Sequence, residues 1–212
     1  MAINPKKPTS SASLSLKSTD ILRIYGKKSD LEVWEAFDQG DELAFNFLYR
    51  TYVPVLFRYG AQLTHEEAIV QDCIQNIFIY LRGKRGSLSK VNCIKAYLLK
   101  SLNREVLHKI SRSKKLEYKD IDDLEGSFLI EVSYESKMIE FESSKETKEK
   151  LEAALNQLTP KQRLAVLLLY EEGLSYQQIA EVFEFSEVKS ARKLIYRAIN
   201  NLKSLLINKK QF

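Results

Sequence analysis

A chain of 212 residues that is 44% hydrophobic is long enough for one or two domains with real cores, and seven Gly and four Pro favour helices over many short strands. No apolar run reaches the roughly eighteen residues of a membrane span, and no apolar N-terminal core marks an export signal. Cys73 and Cys93, with His65 and His108, have neither disulfide nor metal spacing, so the composition predicts a cytoplasmic chain with no metal and no cofactor.

Residues 1–29 are dominated by Ser, Thr, Lys and Pro and read as a mobile N-terminal arm, ordered at most near Ile21 to Tyr25. Asp30 is expected to cap a helix carrying Leu31, Val33, Trp34 and Phe37, which Gly40 ends. Asp41 caps a second, with Ala44, Phe45, Leu48, Tyr49 and Tyr52 on one face and Pro54 as a local break in its hydrogen bonding. Thr64, ahead of Glu66 and Glu67, has the side chain of an N-cap for a third helix from about His65 to Arg82.

After the basic loop GKRGSLSKVN, a fourth helix is predicted from Val91 to Ser113, with Ile94, Tyr97, Leu98, Leu102, Val106 and Ile110 on its buried face. From Arg82 to Lys115 eleven Lys and Arg face a single acid, Glu105. A stripe of that density repels itself unless it meets a polyanion or an acidic partner. The sign then reverses: Asp120, Asp122, Asp123, Glu125, Glu131, Glu135 and Glu140 fall in a stretch, 114–142, read as an acidic linker.

Helix resumes by about Ser143, and Thr159-Pro160 opens the next one, with Thr as cap and Pro at its first position. In GLSYQQIAEVFEFSEVKSARKLIYRAINNLKSL, Tyr176, Ile179, Ala180 and Phe183 share one helix face behind Ser175. A second helix from about Glu187 has Leu194, Ile195, Ala198, Ile199, Leu202, Leu205 and Leu206 on its apolar side and Lys189, Arg192, Lys193, Arg197 and Lys203 opposite. A short helix, a tight turn and a basic helix form a helix-turn-helix, whose second helix enters the major groove. Glu184 stands at the turn, where a positive φ is often required and a non-Gly residue costs about 1 kcal/mol or more.

The fold class is therefore all-α: two small helical domains, 30–113 and 143–212, joined by the acidic linker, the C-terminal one a helix-turn-helix. No phosphate-binding glycine loop, GxSxG, HExxH or paired-Cys motif is present, so no enzymatic activity is expected.

These residues resemble the small extracytoplasmic-function group of bacterial RNA polymerase sigma factors, over Trp34 to Ser113 (domain 2) and Leu151 to Leu206 (domain 4). DCIQNIF, Asp72 to Phe78, is similar to the family's D-x-x-Q-[DE]-V-F helix. LNQLTPKQRLAVLLLYEEGLSYQQIAEVFEFS is similar to its L-x-x-L-P-x-x-x-R, E-G-x-S-x-x-E-I-A-x-x-L-G-x-S pattern. Asn76 replaces an acid, Arg82 and Tyr97 replace frequent Trp, Thr159 a Pro, Gln178 a Glu and Glu184 the turn Gly, and the spacing from Ser186 to Arg197-Ala198 is one residue longer than usual.

The resemblance implies a promoter-specificity subunit with core RNA polymerase (clamp helices of the β′ subunit, flap of the β subunit), promoter DNA and an anti-sigma factor as partners, cytoplasmic and nucleoid-associated when in holoenzyme. Asp72, Gln75, Asn76 and Phe78 would meet the polymerase. Lys84, Arg85, Lys95, Lys100, Asn103, Arg104, His108 and Arg112 would hold the melted −10 strand, while Tyr97 either stacks on a base or fills the core. Ser186, Lys189, Ser190, Arg192, Lys193 and Arg197 would face the −35 duplex. The linker would follow the polymerase's RNA path or act as a plain tether. Two rivals remain open: a free-standing helix-turn-helix regulator that binds duplex DNA as a dimer, and a pure protein-interaction module.

Overall fold

The structure is a computed structural model and describes residues 18–114 and 145–208. The acidic linker expected at 114–142, and with it the RNA-path reading, falls almost entirely outside the described residues. The N-terminal half holds α1 (Ser18–Tyr25), α2 (Asp30–Asp38), α3 (Glu42–Gly60), α4 (Glu67–Gly83) and α5 (Ile94–Lys114). The C-terminal half holds α6 (Lys145–Leu155), α7 (Pro160–Tyr170), α8 (Tyr176–Val182) and α9 (Val188–Asn208). The described residues contain helices, turns and loops and no strand, so the chain is all-α.

The stretch expected to order near Ile21 to Tyr25 is α1, which packs on α3. Ile21 and Tyr25 are buried, the Tyr25 hydroxyl donates to the Asp41 carboxylate, and its ring lies 5.7 Å from Phe47. Burial, and then the Asp41 carboxylate, push the Tyr25 hydroxyl well above its ordinary pKa.

The start of α2 differs from expectation. Ser29, not Asp30, is its N-cap, in a reciprocal box with Glu32: the Ser29 hydroxyl accepts the Glu32 N–H, and the Glu32 carboxylate accepts the Ser29 N–H at 2.8 Å. Asp30 instead reaches across the fold and accepts the Ile94 N–H at 2.7 Å, satisfying an orphan donor at the start of α5. Thr64 also misses its expected role. Its hydroxyl accepts the Glu66 N–H in the turn before α4, and Glu66 stands at the N-cap without a side-chain cap bond. Asp41 does cap α3, accepting from Leu43 and Ala44, and α3 runs on through Pro54.

At the end of α3, Gly60 lets α4 come close: a Cβ there would lie 2.4 Å from Val70 Cγ1. Around it Trp34, Phe37, Phe47, Leu48, Leu56, Phe78, Leu81, Leu98, Leu99 and Leu102 fill the N-terminal core. Burying each such side chain contributes about 1.5–3 kcal/mol.

In the C-terminal half, Thr159 caps α7 in a box with Gln162, and Ser175 caps α8 in a box with Gln178. Gln178, which stands where the family pattern has Glu, thus keeps the capping function, since its amide oxygen accepts the Ser175 N–H at 2.8 Å as a carboxylate would. Arg163 is buried and donates to the carbonyls of Leu155, Asn156 and Leu158 at 3.1, 3.0 and 3.2 Å, closing the C-terminal end of α6. Its burial lowers the guanidinium pKa. The buried apolar residues of the two halves form one continuous cluster, from Ile21 through Leu102 and Ile110 to Leu164, Ile179 and Ile195.

Candidate nucleic-acid interface

The first surface is the recognition helix α9. Ala191, Ile195 and Ala198 are buried, with Leu194, Ile199 and Leu202 half-buried beside them. That seam fixes the opposite face in spite of the extra residue in the sequence spacing. Lys189, Arg192, Lys193 and Arg197 are exposed at i, i+3, i+4 and i+8, and Ser186 is exposed just ahead of them. Ser190 is half-buried, and its N–H bonds the Glu187 carbonyl in the first turn. Tyr196, 58% exposed, sits among these cations and was not singled out by sequence reasoning. Its signal was an aromatic off the apolar stripe. Leu206, expected on that stripe, is 36% exposed.

The turn before α9 adopts the positive φ its position demands: Glu184 has φ 57° and is the single non-Gly residue of positive φ among the described residues. Phe185 follows it, half-buried against Phe183 at 5.8 Å, with the Lys161 ammonium 4.9 Å from its ring. Ala180 is buried where α8 meets its neighbours.

The second surface is the loop 84–93 with α5. Three residues of α2 and α3 hold the loop. Trp34 Nε1 donates to the Ser89 carbonyl at 3.0 Å, and the Asp38 carboxylate accepts from the N–H groups of Gly86 and Leu88 at 2.7 and 3.3 Å. Glu42 pairs with Arg85 at 2.6 Å and Arg82 at 3.2 Å. The hydrogen bond from Arg85, with the charges of both arginines, keeps the Glu42 carboxyl below the usual carboxylate range.

Arg85 also lies over the rings of Phe37 and Phe45, at 4.7 and 5.2 Å. It was expected on the DNA; in the fold it is a half-buried brace of the loop. Lys84 remains exposed beside the Tyr80 ring. Tyr97 is half-buried with its ring 5.3 Å from Trp34. Asn103 is 7% exposed and faces the interior. His108 and Arg112 are exposed near the end of α5.

Lys95, Lys100 and Arg104 do not stand alone. Lys95 Nζ contacts the Glu172 carboxylate at 3.1 Å and the Glu172 carbonyl at 2.9 Å. Lys100 pairs with Glu184 at 3.2 Å, and Arg104 pairs with the same carboxylate. Arg58 of α3 adds a contact to Glu172 at 2.8 Å. No sequence spacing announces these pairs, because their members lie on opposite halves of the chain.

The third surface is α4. Gln75 and Asn76 are exposed, and Asp72 is half-exposed and paired with Lys109. Phe78 is buried, with Phe45 6.1 Å and Tyr49 5.0 Å away, so it supports the helix from beneath instead of meeting a partner. The missed residues are Ile79 and Tyr80, 61% and 58% exposed, which share the outer face with Asp72, Gln75 and Asn76. Among the described residues no group of His, Cys, Asp or Glu is arranged for a metal, and no helix is long and apolar enough to cross a membrane.

An all-α chain with a helix-turn-helix and two basic helices belongs to the class of DNA-binding transcription proteins. Comparison with known proteins narrows that class. Residues 148–202 match the family described as sigma-70, region 4. The chain is 25% identical over 177 residues to the RNA polymerase sigma-H factor of Pseudomonas aeruginosa, covering 81% of this chain and 91% of that protein. Its fold is similar to the sigma factor RpoE of Bartonella quintana, solved in complex with the anti-sigma factor NepR. That match has a TM-score of 0.52 and 22% identity, covering 76% of this chain and 96% of the other. A sigma-70 region 4 is thus matched at 148–202, and over most of its length the chain is similar to sigma factors, transcription initiation factors that direct polymerase to promoters.

Proposed function

We propose that the chain docks on core RNA polymerase through the outer face of α4, holds the separated −10 strand on the 84–92 loop and α5, and reads the −35 duplex with α9. The observation that carries this reading is the outward basic face of α9, Lys189, Arg192, Lys193 and Arg197, within the stretch that matches region 4. Arg and Lys there suit guanine O6 and N7 in the major groove, each good bidentate contact giving about 1–3 kcal/mol of discrimination. Tyr196 adds an apolar surface on the same face.

The braced loop supports the −10 role. A base flipped out of a duplex needs a preformed pocket, and Trp34, Asp38 and Glu42 fix the loop before any DNA arrives. The clamp helices of β′ and the flap of β are the polymerase surfaces this arrangement suits. An anti-sigma partner is supported by the Bartonella structure, whose sigma factor is bound to one. The chain works in the cytoplasm, on the nucleoid when in holoenzyme, without catalysis of its own. The free-standing dimeric regulator is not favoured, because the matched relatives are sigma factors across most of their length.

Retention on sigma-free core polymerase tests the reading. The variant should be Ile79→Asp with Tyr80→Asp, which changes exposed residues; Phe78→Ala would empty the core instead. The reading expects wild type to bind and the double variant to lose binding. A folded wild-type chain that ignores polymerase would overturn it.

A further inference from the structure

We propose that the C-terminal half acts as a built-in cover for α5, with Glu172 and Glu184 occupying the cationic positions that strand phosphates would take. The proposal rests on the reading of α5 as the strand-binding helix. It goes beyond that reading by naming a competitor for the same surface within the chain itself.

The geometry has three parts. First, α8 packs along α5, with one acid at either end of it: Glu172 in the connection before α8 and Glu184 in the turn after it. Second, these acids meet Lys95, Lys100 and Arg104, three cations expected to hold the separated strand, and Arg58 secures Glu172 from α3. Third, the apolar core runs unbroken from α5 into α8 and α9, so the acids are fastened to a hydrophobic contact and do not hang from loose side chains.

Glu184 adds an argument from strain. Its φ of 57° lies in the left-handed region, where glycine is free of the Cβ clash and other residues pay a penalty. Glycine at this position could not reach α5. Burial raises the Glu184 carboxyl pKa, but hydrogen bonds from Arg104 and Lys100 outweigh it and hold the group below the ordinary carboxylate range. The acid is therefore charged at neutral pH and competes with phosphate for those two cations. The basic residues of α9, Lys189, Arg192, Lys193 and Arg197, are exposed in the same conformer. When only a fraction of molecules has α5 uncovered, apparent strand affinity falls by that fraction.

The test uses the full-length protein. Dyes are placed at Ala68→Cys and Lys203→Cys, two exposed positions on opposite halves, with Cys93→Ser in the same background. Cys73 is buried, its thiol pushed up to about 12, so it does not compete for label. Energy transfer reads the distance between halves, and a fluorescent thymidine oligonucleotide reads strand binding. Glu172→Gln with Glu184→Gln should lower transfer and tighten oligonucleotide binding roughly tenfold. Glu181→Gln, on the exposed side of α8, is the control for charge alone and should do neither. Glu184→Gly, which relieves strain and so does not threaten folding, should shift both readouts in the same direction as the Gln variants.

Unchanged transfer in the double variant would overturn the proposal, as would equal tightening by Glu181→Gln. Polymerase retention is measured separately, so a chain that binds polymerase but does not open fails the cover alone. A chain that opens but ignores polymerase fails the function proposed above.

Discussion

Two basic helices face two different surroundings. α5 and α9 each carry a row of Lys and Arg, and each sits on an apolar seam. On α5 the cations Lys95, Lys100 and Arg104 meet Glu172 and Glu184 from the other half. On α9 the residues Lys189, Arg192, Lys193 and Arg197 are exposed, and among the described residues none of them forms an ion pair. Charge density along a sequence identifies a surface made for polyanions. It does not say whether the nearest anion is a ligand or the chain's own carboxylates.

The largest expected effect sharpens this contrast. Arg192→Ala with Arg197→Ala should weaken duplex promoter binding by the holoenzyme about tenfold to a thousandfold, at roughly 1–3 kcal/mol per lost base contact or less for a phosphate contact. Lys100→Ala with Arg104→Ala should leave binding to a duplex −35 fragment within about twofold, since the role proposed for those residues is on the separated strand. Fluorescence anisotropy with the two DNA probes separates the cases. Equal losses on both probes would erase the distinction between the helices.

The next effect concerns the turn. Glu184→Gly and Glu184→Gln both remove the pairs to α5, but only glycine relieves the positive φ. The Gly variant should therefore be more stable than the Gln variant by about 1 kcal/mol in denaturant unfolding. If the two were equally stable, Glu184 would carry no backbone strain.

The smallest effect is ionic. Glu184 has its carboxyl pKa lowered in the closed conformer, burial opposing and the bonds from Arg104 and Lys100 prevailing. A depressed acid stabilises the state that depresses it at pH above its ordinary value, and that stabilisation is lost as pH falls through the depressed value. Energy transfer between the halves should therefore hold at neutral pH and decline only in acid. Raising salt should loosen the same contacts, because the Lys100 and Arg104 pairs are partly exposed and screened, each contributing about 0.2–1 kcal/mol.

Much of the local architecture was legible in the sequence. Asp41, Thr159 and Ser175 declare their helices because an N-cap acts within three residues. The seam of α9 was legible because Ile195 and Ala198 repeat at helical spacing. What escaped were long-range partners. Asp30 looks like a local cap and instead serves Ile94, and Arg85 looks like a DNA contact and instead braces Glu42. Arg163, one residue of a family pattern, closes a helix end from inside the core. Phe78, expected to meet the polymerase, is buried and its neighbour Ile79 is exposed, because adjacent residues on a helix stand about 100° apart and a motif does not say which of them faces out.

The most direct measurement is lysine reactivity along the intact chain, read by mass spectrometry after brief acylation, alone and with core polymerase. Lys189 and Lys193 should react readily in the free protein, while Lys95 and Lys100, at 29% and 35% side-chain exposure and held by acids, should react slowly, and the cover proposed above predicts a gain in their reactivity in any complex that separates the halves. Equal rates at all four lysines in the free chain would contradict the account, because α5 would then be as open as α9.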